Sequence, residues 1–360
     1  LHLLSRRQRQ MCIRDRYIAE ELLRQNSDYQ LVWDVKTAYP TSDYPMGLKF
    51  VRHNTYEFYK ELASAKVIIE NTNIVERLYA YKKKEQFLLQ TWHGSLGIKR
   101  LDGDVVMGFR WKQLAKRCQK TVDYLLSNSN FETEVFRTAY WKDVPSILVG
   151  HARNDIFFIK DQEKVARINK KVHRFLNIDE DTHIFLFAPT HRDDVDESYQ
   201  PLNYEMIKEA LEERFGGKWQ IVIRLHNRLK KESRSWLNLL PSYVSDATFY
   251  EDMQELLLCT DVGLTDYSSW IFDFVLSGKP GFIIELNLED YENARGFYYP
   301  IDTTPFPIAT SSEELADNIR KFDAEKYAKD KDVFLAARGC MEDGHASERI
   351  VEKINELMAK

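Results

Sequence analysis

Three places in the 360-residue chain set reactive side chains directly after an apolar run. In the first, Val262, Gly263, Leu264 and Thr265 read as a short buried strand, and Asp266, Tyr267, Ser268 and Ser269 follow at once. Trp270, Ile271, Phe274 and Val275 recur at helical spacing, and Gly278 stands where a C-cap is expected. Lys279 and Pro280 then turn the chain into a second apolar run, Phe282 to Ile284. In such a βαβ unit, ligands sit at the carboxyl end of the strand against the N-terminus of the helix. Ser268 and Ser269 fall there, where hydroxyls and open backbone N–H groups suit a phosphate. Taken alone, a plain helix cap accounts for these serines better.

In the second place, the strand Phe87 to Thr91 runs into Trp92-His93-Gly94-Ser95. A histidine between a strand and a glycine can meet a ligand closely, and imidazole is the natural general base near neutral pH. A structural loop histidine fits the same residues equally well. In the third, the strand Gln220 to Ile223 is followed by Arg224-Leu225-His226. Alternation along extended chain puts Arg224 and His226 on one side, where a cation and an imidazole suit a diphosphate. Without context, surface decoration would explain this pair. Arg192 follows the strand Thr182 to Phe187 and the turn Ala188-Pro189-Thr190-His191. Its guanidinium can grip a phosphate bidentately or form an ion pair with Asp193 or Asp194.

The elements that position these residues alternate. Apolar runs at Leu31–Val35, Phe50–Val51, Val67–Ile69, Tyr124–Leu126 and Ile147–Val149 are interleaved with helical patterns at Glu57–Ala63, Phe131–Tyr140 and Glu163–Phe175. Further on come helices at Tyr204–Phe215 and Asp252–Cys259, a short extended piece at Ala247–Tyr250, a helix from Ser312 and a last helix Ala346–Met358. Alternating strands and helices imply parallel sheets with helices on both faces. A chain of this length suggests two domains.

Bulk properties exclude several classes. The net charge of −5 argues against nucleic acid as a partner. Cysteines at 12, 118, 259 and 340 form no CxxC pair, which argues against a zinc site and suits a reducing compartment. No apolar run reaches transmembrane length. Neither G-x-x-x-x-G-K-[ST] nor G-x-G-x-x-G occurs. Asp102-x-Asp104 and Asp194-x-Asp196 are weak metal signals in so acidic a chain. No metal and no cofactor are expected. Arg110 to Lys120 is basic, with Trp111, Leu114, Ala115 and Cys118 at helical spacing. A solvated helix face is the plainer reading, and contact with an anionic membrane or polyanionic acceptor is the sharper one.

Residues 1 to 16 lack the apolar core and cleavage site of a signal peptide. MCIRDR is what a library-preparation adapter end, ATG-TGT-ATA-AGA-GAC-AG, would encode. The segment is therefore expected to be translated adapter, and the native N-terminus to be missing. A short helix at Tyr17–Gln25 would then open the chain, without the strand and loop that normally precede it. Resequencing the locus tests this: a native reading frame through residue 1 would exclude the adapter.

Seven ordered blocks from about Tyr17 onward resemble the CDP-glycerol glycerophosphotransferases, which build poly(glycerol phosphate) teichoic acids and related capsular polymers. TDYSSWIFDF, then Gly278-Lys279-Pro280, Asp290-Tyr291 and Arg295-Gly296-Phe297-Tyr298 resemble the family's C-terminal signature. QTWHGSLGIKRLDGD is similar to its TWHG-(T/S)-x-x-K block, with Leu96-Gly97-Ile98-Lys99 where Pro-Leu-Lys is common. Ser127-Asn128-Ser129-Asn130-Phe131-Glu132 and Gly150-His151-Ala152-Arg153-Asn154-Asp155 resemble S-x-S-x-F-E and G-x-P-R-N-D, with Ala152 replacing proline. Ala188 to Asp193 resembles APTFRD with His191 for the aromatic residue, Arg224 to Asn227 resembles R-x-H-P, and Asp343 to Arg349 resembles D-G-x-A-S-x-R.

The resemblance implies two Rossmann-like α/β domains facing across a cleft, the GT-B arrangement. Residues 17–177 would be the acceptor-side domain and 178–360 the CDP-donor domain with its closing helix. It implies that His93 and His226 are catalytic, with His93 the general base for the acceptor hydroxyl. Arg192, Arg224, Asp266, Ser268 and Ser269 would hold the donor diphosphate. Gly94, Lys99, Arg153, Asn154, Asp155 and Arg295 would serve the acceptor side or support it. The implied reaction moves glycerol phosphate from CDP-glycerol to the terminal hydroxyl of a glycerol-phosphate or lipid-linked polymer acceptor and releases CMP. It would take place in the cytoplasm or peripherally on the inner membrane face. CDP-ribitol as donor, a GT-B nucleotide-sugar glycosyltransferase, and a non-catalytic binding protein remain as alternatives.

Overall fold

The computed structural model describes residues 2–6, 14–25, 28–35, 44–71, 82–97, 99–105, 108–190, 202–225, 241–285 and 296–360. The chain divides into two compact α/β units.

The first unit contains strands β1 (His2–Arg6), β2 (Gln30–Val35), β3 (Leu48–Arg52), β4 (Ala65–Glu70), β5 (Phe87–Gln90), β6 (Tyr124–Ser127) and β7 (Ser146–Leu148). Helices α1 (Arg14–Arg24), α2 (Tyr56–Ser64), α3 (Phe109–Thr121) and α4 (Asn130–Ala139) lie between them. The strands pair in parallel in the order β3-β2-β1-β4-β5-β6-β7. Strands buried on both faces read as continuous apolar runs, which is why β2, β4 and β5 are visible in the sequence. Their core gathers Val32, Ile68, Leu88, Leu125, Phe136 and Trp141.

One expectation is corrected at the start of this unit. A strand does precede the first helix: β1 pairs with β2 through Leu3 and Leu31, and with β4 through Leu4 and Ile68. The inner edges of β2 and β4 would otherwise carry unpaired backbone groups inside the sheet.

The second unit contains β8 (His183–Phe187), β9 (Trp219–Ile223), β10 (Val244–Asp246), β11 (Val262–Thr265), β12 (Gly281–Ile284) and β13 (Ile308–Ala309). Its helices are α5 (Gln162–Leu176), α6 (Tyr204–Phe215), α7 (Met253–Cys259), α8 (Ile271–Phe274), α9 (Ser312–Arg320) and α10 (Ala324–Ala337). The parallel order is β10-β9-β8-β11-β12-β13. This repeats the first unit's pattern, with the strand order reversing direction between β8 and β11 as it does between β1 and β4. The extended piece sought at Ala247–Tyr250 lies earlier, at β10, where Val244 pairs with Ile221.

The last helix, α11 (Ala346–Ala359), belongs to the first unit, as does all of Arg338–Lys360. Its apolar stripe of Ile350, Val351, Ile354 and Leu357 is buried, and α11 packs on α1 and β4. Conversely, α5 belongs to the second unit, where Lys171 pairs with Glu255 of α7 at 2.8 Å. Leu96–Lys99 also belongs to the second unit. The single division expected at residues 177/178 is therefore replaced by a boundary at Phe158, with two segments exchanged.

Candidate active site

In the first unit, the carboxyl end of β5 leads through Thr91 into Trp92-His93-Gly94-Ser95. Trp92 takes φ 51°, a left-handed conformation that a bulky residue adopts only when its surroundings enforce it. The enforcement comes from burial: the Trp92 ring lies 5.3 Å from Trp141 and 5.8 Å from Tyr140, and the Trp92 backbone N–H donates to Gln90 Oε1 at 2.9 Å. His93 is exposed, with its ring 4.1 Å from that of Trp92. His93 Nδ1 lies 2.8 Å from the carbonyl of Asn71, just past β4. A carbonyl can only accept, so Nδ1 carries the proton and Nε2 carries the lone pair in the neutral ring. That is the tautomer a general base needs.

The next two residues are fixed from behind. Arg153 Nη2 donates to the Gly94 carbonyl at 2.6 Å, and Asn128 Nδ2 donates to Ser95 Oγ at 3.0 Å. Asn128 Nδ2 and Asn154 Nδ2 also donate to Glu342 Oε1, at 3.0 and 2.8 Å. His151 Nε2 lies 2.9 Å from Glu132 Oε2, and that same oxygen accepts from the Asn128 N–H. Burial drives the Glu342 carboxyl up to about 8, against the opposing pull of the two amides and the Arg153 charge. Asp155 receives the N–H groups of Ala346 and Ser347, and so caps α11. Burial raises the Asp155 carboxyl above its usual range. Arg153, Asn154 and Asp155 therefore act inside the unit as struts. Gly150, at φ 85°, has room for no side chain, because a Cβ would stand 2.9 Å from that of Ala346.

In the second unit, the β8 and β11 ends form a topological switch point, the usual ligand position in an open parallel sheet. Asp266 is 3% exposed, and its Oδ1 accepts from the Thr190 N–H at 2.7 Å, the Thr190 hydroxyl at 2.7 Å and the Tyr267 N–H at 2.5 Å. Lys99 Nζ donates to the same hydroxyl at 2.9 Å. Donors therefore run in one direction, from Lys99 to Thr190 to Asp266. The Ala188 carbonyl accepts from Thr265 Oγ1 at 2.8 Å and Trp270 Nε1 at 2.7 Å, which ties the β8 end to the turn after β11. Gly97 lies against this turn, since a Cβ there would meet that of Ser269 at 3.1 Å. Ser268 and Ser269 are half-buried.

Two expectations change here. The helix after Ser269 has only four residues, and its N-cap position is Trp270, with no side-chain cap bond. The serines thus belong to the turn and do not cap α8. Arg224 is buried, and its Nη1 donates to the carbonyls of Ala247 and Tyr250 at 3.3 and 2.5 Å. Burial lowers its guanidinium to about 10, still charged at neutral pH. Arg224 thus braces the loop after β10. Arg192, His226 and Arg295 lie outside the described residues. Asp104, from the first Asp-x-Asp pair, accepts from Thr138 Oγ1 at 3.0 Å. Of the buried acids, Glu132 closes the S-x-S-x-F-E block but was given no role in the sequence, and Glu342 was not singled out; its only signal was its place directly before the D-G-x-A-S-x-R block.

Comparisons with known proteins agree on one group. The family model for CDP-Glycerol:Poly(glycerophosphate) glycerophosphotransferase matches residues 2–356. A teichoic acid glycerol-phosphate transferase of Staphylococcus aureus is 30% identical over 93% of this chain and 87% of its own length. A teichoic acid poly(glycerol phosphate) polymerase of Staphylococcus epidermidis is 29% identical over 94% of this chain, which spans 48% of that protein's length. Among solved structures, the wall teichoic acid polymerase TagF, in a histidine variant soaked with CDPG, superposes with a TM-score of 0.81 at 26% identity. That match covers 99% of this chain and 88% of the other.

Proposed function

The chain belongs to the CDP-glycerol:poly(glycerophosphate) glycerophosphotransferase family, and from that premise we propose that it transfers glycerol phosphate from CDP-glycerol to a glycerol-phosphate acceptor in teichoic acid or capsular polymer synthesis. The terminal hydroxyl of the acceptor attacks the glycerol-side phosphorus of the donor. An oxygen–phosphorus bond forms there, the bond to the CMP oxygen breaks, and CMP leaves with the electron pair. The acceptor's proton passes to His93 Nε2 and then to solvent. The observation that carries this reading is the His93 tautomer: in an exposed imidazole whose Nδ1–H is held by the Asn71 carbonyl, the lone pair of the neutral ring is on Nε2. Phosphoryl transfer asks for positioning and charge stabilisation more than for covalent work by the protein. Lys99, Thr190, Ser268 and Ser269 are proposed to bind the donor diphosphate, with Asp266 aligning Thr190. His226, Arg192 and Arg295 stay in the proposal as a second catalytic histidine, a donor-phosphate contact and a supporting contact, on their sequence motifs alone. CDP-ribitol is the weaker alternative, since the glycerol-phosphate relatives match this chain more strongly.

The test is acceptor-dependent CMP release from CDP-glycerol with a glycerol-phosphate-primed lipid. No release with either CDP-glycerol or CDP-ribitol would overturn the proposal. Release with CDP-ribitol alone would replace the donor.

Peripheral attachment to the inner membrane face is proposed to run through α3. Its sequence carries Arg110, Lys112, Lys116, Arg117 and Lys120 with no acidic residue, and Phe109 at its start is 76% exposed. No helix among the described residues is long and apolar enough to cross a membrane. Co-sedimentation with anionic vesicles, lost on Lys116→Glu with Lys120→Glu, is expected. Equal binding by that double variant would exclude α3 as the anchor.

A further inference from the structure

The chemistry above leaves unused the buried polar cluster behind the Trp92–Ser95 loop. Arg153 is 2% exposed, although an unpartnered buried guanidinium costs several kcal/mol. Its Nη2 reaches the Gly94 carbonyl at 2.6 Å, so a buried charge fixes the Gly94–Ser95 peptide, one residue beyond His93. Three consecutive residues are thus held by three different segments: His93 by Asn71, Gly94 by Arg153, and Ser95 by Asn128. Glu342 ties Asn128 to Asn154, the neighbour of Arg153, so the segments that hold Gly94 and Ser95 are joined to each other.

We propose that Arg153 is a positioning residue for the reaction: by holding the Gly94 carbonyl it keeps His93 Nδ1 on Asn71 and so keeps Nε2 basic. The effect on turnover rests on the transferase reading; the effect on the His93 ring does not.

The test compares the full chain with Arg153→Met, which keeps most of the bulk but loses the donor, and with Arg349→Met. Arg349 Nε donates to the Val149 carbonyl at 2.9 Å and its Nη1 and Nη2 pair with Asp343 at 2.8 Å in the same unit, so it controls for losing an arginine that makes no bond to the Trp92–Ser95 loop. The first readout is the ring ¹⁵N spectrum of His93. The unaltered chain and Arg349→Met are expected to hold the Nδ1–H tautomer, and Arg153→Met to show a mixture. The second readout is CMP release, where Arg153→Met is expected to lose about 10²-fold in kcat with little change in the donor KM. Arg153→Lys should retain part of both. A His93 spectrum unmoved by Arg153→Met, or moved equally by Arg349→Met, would overturn the proposal. Absence of CMP release from the unaltered chain would sink the transferase reading and leave the ring spectrum to decide this one.

Discussion

The two units share one strand order, yet their strand ends are equipped in opposite ways. In the first, Arg153, Asn128, Asn154 and Glu342 are buried behind the Trp92–Ser95 loop and joined to it and to one another, and the exposed group of that loop is the His93 imidazole. In the second, one buried carboxylate, Asp266, gathers three donors, and the groups left around the switch point are short hydroxyls and the Lys99 ammonium. A shared topology therefore says where a ligand can sit, while the buried polar contacts decide what the site does there. Rigid support around one exposed base suits proton transfer. A cluster of small donors with a lysine ammonium suits a diphosphate, whose charge is spread over several oxygens.

The largest expected effect breaks the first unit's half of this contrast. His93→Ala should lower kcat for CMP release by roughly 10²–10⁴-fold, the usual range for losing a general base, with the donor KM nearly unchanged. A kcat within threefold of the unaltered chain would remove His93 from the chemistry. Asp266→Ala should act the other way, chiefly on the donor. It strands the Thr190 N–H and hydroxyl, and we expect a stability loss of about 2 kcal/mol and about a tenfold rise in donor KM. If kcat fell and KM did not, the division of labour between the units would be wrong.

Glu342→Gln should have the smallest effect on turnover and a clear effect on pH dependence. The Glu342 carboxyl has an ordinary value of 4.5 and a folded value of about 8. Between these values the folded chain holds a proton that the unfolded chain has released, so stability falls as pH rises from about 4.5 to about 8 and then levels off. The decline should be at most a few kcal/mol. Thermal melts across that window should show it in the unaltered chain and show it flattened in Glu342→Gln. Parallel pH curves for the two proteins would mean that Glu342 is ionised in the fold.

Much of this was legible in the sequence for a definite reason. Parallel strands covered on both faces are continuous apolar runs, so β2, β4, β8, β9, β11 and β12 announce themselves, and the polar residues at their ends stand out. His93, Asp266 and the serines became candidates in that way. Arg224 shows the limit of the method. Alternation after a strand gave its side, yet the backbone carbonyls of Ala247 and Tyr250 claimed its guanidinium, and only folding brings them near.

What the sequence determined by itself was local: element types, turn positions, and the residue types able to act on phosphate. The tertiary structure decided what depends on distant partners. Glu342 meets Asn128 across 214 positions and Asn154 across 188, and no periodicity encodes such pairings. The same holds for α11, whose apolar stripe demanded a partner without naming which unit would supply it. It holds for Lys99 too, since a lysine six residues past His93 in the chain was packed with Thr190, where the chain's path placed a hydroxyl and a carboxylate. Hydrophobic pattern is a property of neighbouring residues, whereas a buried charge is stable only beside groups that the whole fold delivers.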